Sequence, residues 1–211
     1  MNNEVIKLEK PLFYNNAFGL RFEIGLPDIG VWENYEKGKL NNKYFDTALD
    51  RSIDIFQAAF TSTDSISIAY QIYSHSRKKI KKGNYLFKQI SDIKTKKVIF
   101  TEHRDIYTED LDYKCNCWRR VTISDIKTKD VNFTNILLAL INTDFSVRQP
   151  SMQGQCFFIN HTKGLVLNLY DDRGMDVVAL EKNKLIELYK SHSELILEYD
   201  REKIDLSLIH I

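Results

Sequence analysis

Three aspartates stand close together in Tyr170-Asp171-Asp172-Arg173-Gly174-Met175-Asp176. Carboxylates that converge on one point can hold a divalent cation, and an arginine beside them can orient a phosphate. Asp171, Asp172 and Asp176 with Arg173 therefore suggest a metal-assisted hydrolase of nucleotides or nucleic acid as one reading. Such a site needs ligands from separate elements, and His161 and His192 are the helpers that the sequence offers. The competing reading is a reversal whose aspartates cap local backbone N–H groups, with Arg173 paired to a neighbouring carboxylate.

The other reactive groups are more scattered. Cys115-x-Cys117 sets two thiols two residues apart, on the same side if the segment is a strand. A zinc site would need two further ligands, and His103 is the nearest candidate; ordinary cysteines are the simpler expectation. Arg77-Lys78-Lys79-Ile80-Lys81-Lys82, followed by Tyr85 and Phe87, could grip phosphates while its rings stack on bases, or be the solvated face of a helix. The histidines at 75, 103, 161, 192 and 210 show no metal-binding spacing. There is no glycine-rich phosphate loop, nucleophile elbow or serine or cysteine beside a local base motif. No cofactor or metal is expected.

A chain of 211 residues with 43% apolar composition and three prolines fits a globular fold: one domain, 1–211, or two lobes, about 1–105 and 113–211. Thirty basic against 29 acidic residues leave almost no net charge, which argues against a dedicated nucleic-acid or membrane-surface protein. No apolar run approaches a membrane span, the first thirty residues lack a signal pattern, and three cysteines make no disulfide framework. The expectation is a cytoplasmic protein with reduced thiols.

The elements that must position these residues are legible in part. Gln155 to Leu180 reads as three strands joined by His161–Gly164 and by Asp171–Gly174. With Asp172 and Arg173 at the centre of the second turn, Leu169 would face Asp176, Leu167 would face Val178 and Leu165 would face Leu180. That register sets Asp171 and Asp176 near each other at the wet end of the leucine side. From Asn42, Phe45, Ala48, Leu49, Ser52, Ile53, Phe56, Ala59 and Phe60 form one helical stripe. Ser65 to Tyr73 alternates as a half-buried strand. Leu20 to Ile24, Val98 to Thr101 and Cys117 to Ile123 are further strands, and Asn132 caps a helix carrying Phe133 to Ile141. Gly25 to Leu40 reads as an ordered loop with Trp32 and Tyr35. Arg77 to Ile90 reads as a weak helix, and Glu102 to Asn116 as a polar join. After a helix begun by Leu185, Leu188 and Tyr189, a Ser191–Glu194 capping box predicts a second through Leu195, Ile196 and Tyr199. Leu206 to Ile211 is apolar enough to be tied down. The fold class is α+β: a mixed, largely antiparallel sheet with packed helices and a C-terminal three-stranded meander followed by helices.

The segment Tyr170-Asp171-Asp172-Arg173-Gly174-Met175-Asp176-Val177-Val178 resembles a bacterial family known as domain of unknown function 3885. So do the phenylalanine-rich helix from Tyr44 to Phe60, the Asp144-Phe145 to Pro150 approach, the Cys156–Asn160 strand and the Ile196–Glu202 ending. The resemblance runs over most of the chain and implies a bacterial cytosolic protein. The family carries no established activity, so no role passes to any residue.

Two functional expectations follow. The first is a non-catalytic protein-binding protein, by fold-level analogy an immunity protein that neutralises a cognate toxin. Its surface would use the aromatics Trp32 and Tyr35, or the acidic loop with Glu109, Asp110 and Asp112, which suits a basic partner such as a nuclease toxin. The second is the hydrolase at Asp171–Asp172. A deep pocket lined by Asp171, Asp176 and a histidine would favour the enzyme; a turn lying flat on the surface would favour the binder.

Overall fold

The computed structural model describes residues 5–75 and 78–208. A seven-stranded antiparallel sheet runs in the order β1-β9-β8-β7-β4-β6-β5. Its strands are β1 (Phe18–Glu23), β4 (Ser65–Ser74), β5 (Lys97–His103), β6 (Cys117–Lys127), β7 (Gln155–Asn160), β8 (Leu165–Asp171) and β9 (Gly174–Ala179). The helices are α1 (Asn42–Ala59), α2 (Phe133–Ile141), α3 (Ile186–Ser191) and α4 (Arg201–Leu208). The fold is α+β, with the expected meander β7–β8–β9 followed by helices. Strands from before and after residues 102–116 interleave in this one sheet, since β1 closes on β9 and β4 lies between β6 and β7.

The front face of the sheet carries the main core. The α1 stripe buries Phe45, Ala48, Ser52, Ile55, Phe56 and Ala59. Phe56 stacks on Phe60 and Phe133, with centroids 4.5 and 4.2 Å away, and meets Phe158 edge-on at 5.1 Å. That aromatic cluster joins α1, α2 and β7. Asn132 caps α2 as predicted, its side chain accepting from Asn135 N at 3.2 Å.

The back face departs from expectation. β4 is buried on both sides, because the segment before β1 crosses the back of the sheet. Ile6, Leu8 and Leu12 pack there against Ala69, Phe157, Val166 and Val178. The polar Ser67 and Gln71, which make β4 look half-exposed in sequence, are buried and hydrogen-bonded to His161 and Gln155.

Other differences have local causes. Gly25 to Leu40 is not all loop: it holds a two-stranded ribbon, β2 (Trp32–Asn34) and β3 (Lys39–Leu40), with Gly38 at positive φ in the turn. The expected Arg77–Ile90 helix is irregular from Lys78 and tightens to a short 3₁₀ turn at Tyr85–Gln89; Arg77 lies outside the described residues. Ser191 caps no second helix. Its hydroxyl donates back to the carbonyls of Glu187 and Leu188, ending α3. Ile196 and Leu197 are extended instead, because they bond to β1: Ile196 bridges Phe22, and Leu197 N donates to Arg21 O at 2.8 Å. The last helix therefore starts only at Arg201. Of the apolar ending, Leu208 is buried and Leu206 exposed; residues 209–211 lie outside the described residues.

Candidate functional site

The Tyr170–Gly174 reversal joins β8 to β9 with Asp172 and Arg173 at its centre, as Asp171 pairs with Gly174. The predicted register is nonetheless one residue out. A bulge between Leu169 and Asp171 sets Leu169 opposite Met175, Leu167 opposite Val177, Leu165 opposite Ala179 and Asn168 opposite Asp176. Tyr170 is the extra residue. A one-residue slip moves every side chain to the other face, so Asp176 leaves the leucine side and lies on the back of the sheet, fully buried. It does not meet Asp171 at a wet end.

Each carboxylate of the turn has its own internal partner. Asp171 accepts from Arg173 N at 2.9 Å, the bond of an Asx turn, and from Arg173 Nε at 3.2 Å. The hydrogen bonding to Asp171 holds the Arg173 guanidinium well above its usual pKa. Asp172 is buried and accepts from the Tyr44 hydroxyl at 2.9 Å, tying the turn to α1; burial raises its pKa. Gly174 is required where Tyr170 folds over the turn: a Cβ there would overlap the Tyr170 hydroxyl and sit 2.8 Å from Phe22 O.

Asp176 belongs to a network, buried at its two carboxylates and opening to solvent at Tyr14, that no short motif announces. Its Oδ2 accepts from Phe13 N at 3.0 Å, and its Oδ1 lies 3.5 Å from Arg21 Nε without a hydrogen bond. Arg21 also donates to Asp200 at 3.3 Å, and its guanidinium lies over the rings of Tyr14 and Tyr170 at 5.1 and 5.3 Å. The Tyr14 hydroxyl closes the set on Asp200 at 2.6 Å. One arginine thus serves two buried carboxylates, and burial pushes Asp176 up to about 6. Arg21, Tyr14 and Asp200 escape the sequence reading because each is ordinary in its own segment; only the β1–β9 pairing, which sets Arg21 opposite Asp176, assembles them.

Beside the turn opens a groove of about 400 Å³, walled by Arg21, Tyr44, Tyr170 and Arg173 with Leu26 and Leu197. Neither Asp171, Asp176 nor a histidine lines it. The turn is not flat on the surface either: Asp171 and Asp172 are buried while the Arg173 side chain is 75% exposed. His161 sits at the far β7–β8 turn, bonded to Ser67, and His192 ends α3 with its ring against Phe22. Among the described residues, no three His, Cys, Asp or Glu side chains converge as metal ligands. The cysteine pair does not share a strand face, since β6 begins only at Cys117: Cys115 is exposed and Cys117 buried, while His103 is turned to Thr101 and Asp105.

The remaining candidates occupy other places. Trp32 and Tyr35 lie on the β2–β3 ribbon, their rings edge-to-face at 5.6 Å yet 41% and 78% exposed. Glu109, Asp110 and Asp112 are exposed on the β5–β6 connection, at the sheet edge away from β1 and β9. That connection is closed by Arg104, whose guanidinium donates to the carbonyls of Tyr113, Lys114 and Asn116. In the basic segment, Lys78, Lys79, Lys81 and Lys82 face solvent, but Phe87 is buried and Tyr85 half-buried, so they form no exposed stacking platform.

Comparison with known proteins agrees with the resemblance carried by the turn. The chain is 26% identical over 208 residues to the uncharacterized protein YnaE of Bacillus subtilis (strain 168), covering 90% of this chain and 91% of that protein. No solved structure matches. The family model described as domain of unknown function (DUF3885) matches residues 2–200, and the chain therefore belongs to that family.

Proposed function

We propose that this chain is a non-catalytic binding protein of the bacterial cytosol, an immunity-type protein that occludes a toxin, and that it seizes its protein partner through the β2–β3 ribbon. The observation that carries this reading is the Trp32–Tyr35 pair. Two large rings hold each other edge-to-face while much of their surface stays in water. Rings fixed in this way lose little entropy on docking and bury much apolar area, as interface anchors do. The exposed acids Glu109, Asp110 and Asp112 add a field that would steer a basic partner.

The hydrolase reading has less support. Asp171 is bonded to Arg173, Asp172 to the Tyr44 hydroxyl and Asp176 to Phe13 N, with Arg21 at 3.5 Å from its other oxygen. Binding a cation there would first require those bonds to open.

The test uses the product of the neighbouring gene. Co-expression should rescue growth and yield a stable complex, and Trp32→Ala with Tyr35→Ala should weaken that complex by roughly 30-fold or more without lowering the melting temperature. Failure of both rescue and complex formation would remove the proposal.

A further inference from the structure

A seven-stranded sheet has two edges, and this chain treats them differently. The β1 edge is covered, because Ile196 bridges Phe22 and Leu197 N donates to Arg21 O. The β5 edge is bare: among the described residues, β5 pairs only with β6. An uncovered strand offers a row of free N–H and C=O groups, and proteins usually blunt it with proline, a bulge or a charge in mid-strand. β5 has none of these across Val98-Ile99-Phe100-Thr101. Its register with β6 runs unbroken from Lys97–Ser124 to His103–Trp118. Ile99 and Phe100, on opposite faces, are 43% and 46% exposed.

Charge selects the occupant. The strand is entered through Lys94, Lys96 and Lys97 and left through Glu102 and Asp105, with Arg104 between them folded back onto the carbonyls of Tyr113, Lys114 and Asn116. Parallel pairing of two such strands would set like charges together, whereas antiparallel pairing sets each basic end against an acidic one. A two-fold axis through Ile99 places Val98 opposite Phe100 of the second copy and Lys96 opposite Glu102 of the second copy. Apolar contacts then fill the centre and opposite charges flank it, Lys96 reaching over from Asp130 and Glu102 from Arg119 of their own chains. We propose that β5 pairs antiparallel with β5 of a second copy of this chain, joining two sheets into one. The ribbon that carries Trp32 is not part of this surface, so the two proposals stand or fall separately.

Sedimentation velocity on the full chain, from a few micromolar to about 0.5 mM, tests it. The wild type should show a concentration-dependent dimer. Ile99→Lys should weaken the dimer by about tenfold or more, as should Lys96→Glu, which sets a glutamate opposite Glu102 of the second copy. Adding Glu102→Lys to the Lys96→Glu variant should restore it, because positions 96 and 102 then again carry opposite charges across the two-fold axis. Circular dichroism and melting of each variant separate lost pairing from lost folding. A wild type that stays monomeric throughout overturns the proposal, as does a dimer indifferent to Ile99→Lys, or a monomer that instead captures a different protein at β5.

Discussion

Asp176 is the residue whose chemistry is most altered by its surroundings. Desolvation lifts it from 3.8 to about 6, against the stabilising bond from Phe13 N and the charge of Arg21. In the unfolded chain it ionises near its ordinary value, so between about pH 4 and 6 the folded state keeps a proton that the unfolded state releases. The resulting stabilisation is complete below the unfolded pKa and is lost as pH rises through about 6. A rise of this size corresponds to about 3 kcal/mol. Asp176→Asn should abolish that component: urea midpoints of the two proteins, measured from pH 4 to 7, should converge or diverge only across this window. Parallel profiles would show that Asp176 does not titrate there. Tyr44 tests the neighbouring bond. Its hydroxyl lowers the pKa of Asp172 against the larger effect of burial. Tyr44→Phe should raise Asp172 further and cost about 1–3 kcal/mol, readable by carboxyl NMR titration and by denaturation.

At the scale of elements, α1 is held by rings rather than by propensity. Phe56 touches Phe60, Phe133 and Phe158, so one side chain couples the helix to α2 and to the meander. Phe56→Ala should cost about 3–5 kcal/mol by denaturant unfolding. A loss under about 1 kcal/mol would mean the cluster repacks. The β8–β9 hairpin shows the limit of pattern reading. Loop residues, strand lengths and the turn centre at Asp172–Arg173 follow from alternation and turn chemistry. The bulge at Tyr170 does not, since it answers to Arg21 and Phe22 on another strand. The Ser191–Glu194 pattern fails for the same reason: backbone pairing of Ile196 with β1 outweighs a local cap.

For the whole molecule, the first described residues act as a lid over the back of the sheet. Leu12 is fully buried there, and Phe13 N supplies the Asp176 carboxylate with its only hydrogen bond among the described residues. Leu12→Ala should therefore cost about 2–5 kcal/mol, a core-sized penalty for a residue outside every helix and strand. Thermal or urea unfolding checks it, and a surface-like loss of a few tenths would refute the lid. The three groups of candidate residues lie apart in the fold. The acidic turn is at the β5 edge, the Tyr170 turn lies at the β8–β9 end, and the aromatics occupy a ribbon outside the main sheet.

By itself the sequence determines the α+β class, the meander, the α1 stripe and the cap at Asn132, because periodicity, turn residues and caps act within a few positions of the chain. Only the tertiary structure decides which carboxylates are free. Asp171, Asp172 and Asp176 look alike in the string, but their partners come from residue 173, from α1, and from β1 with the segment before it. Those distances in sequence are bridged by sheet order and by a single bulge, and neither has a local signal.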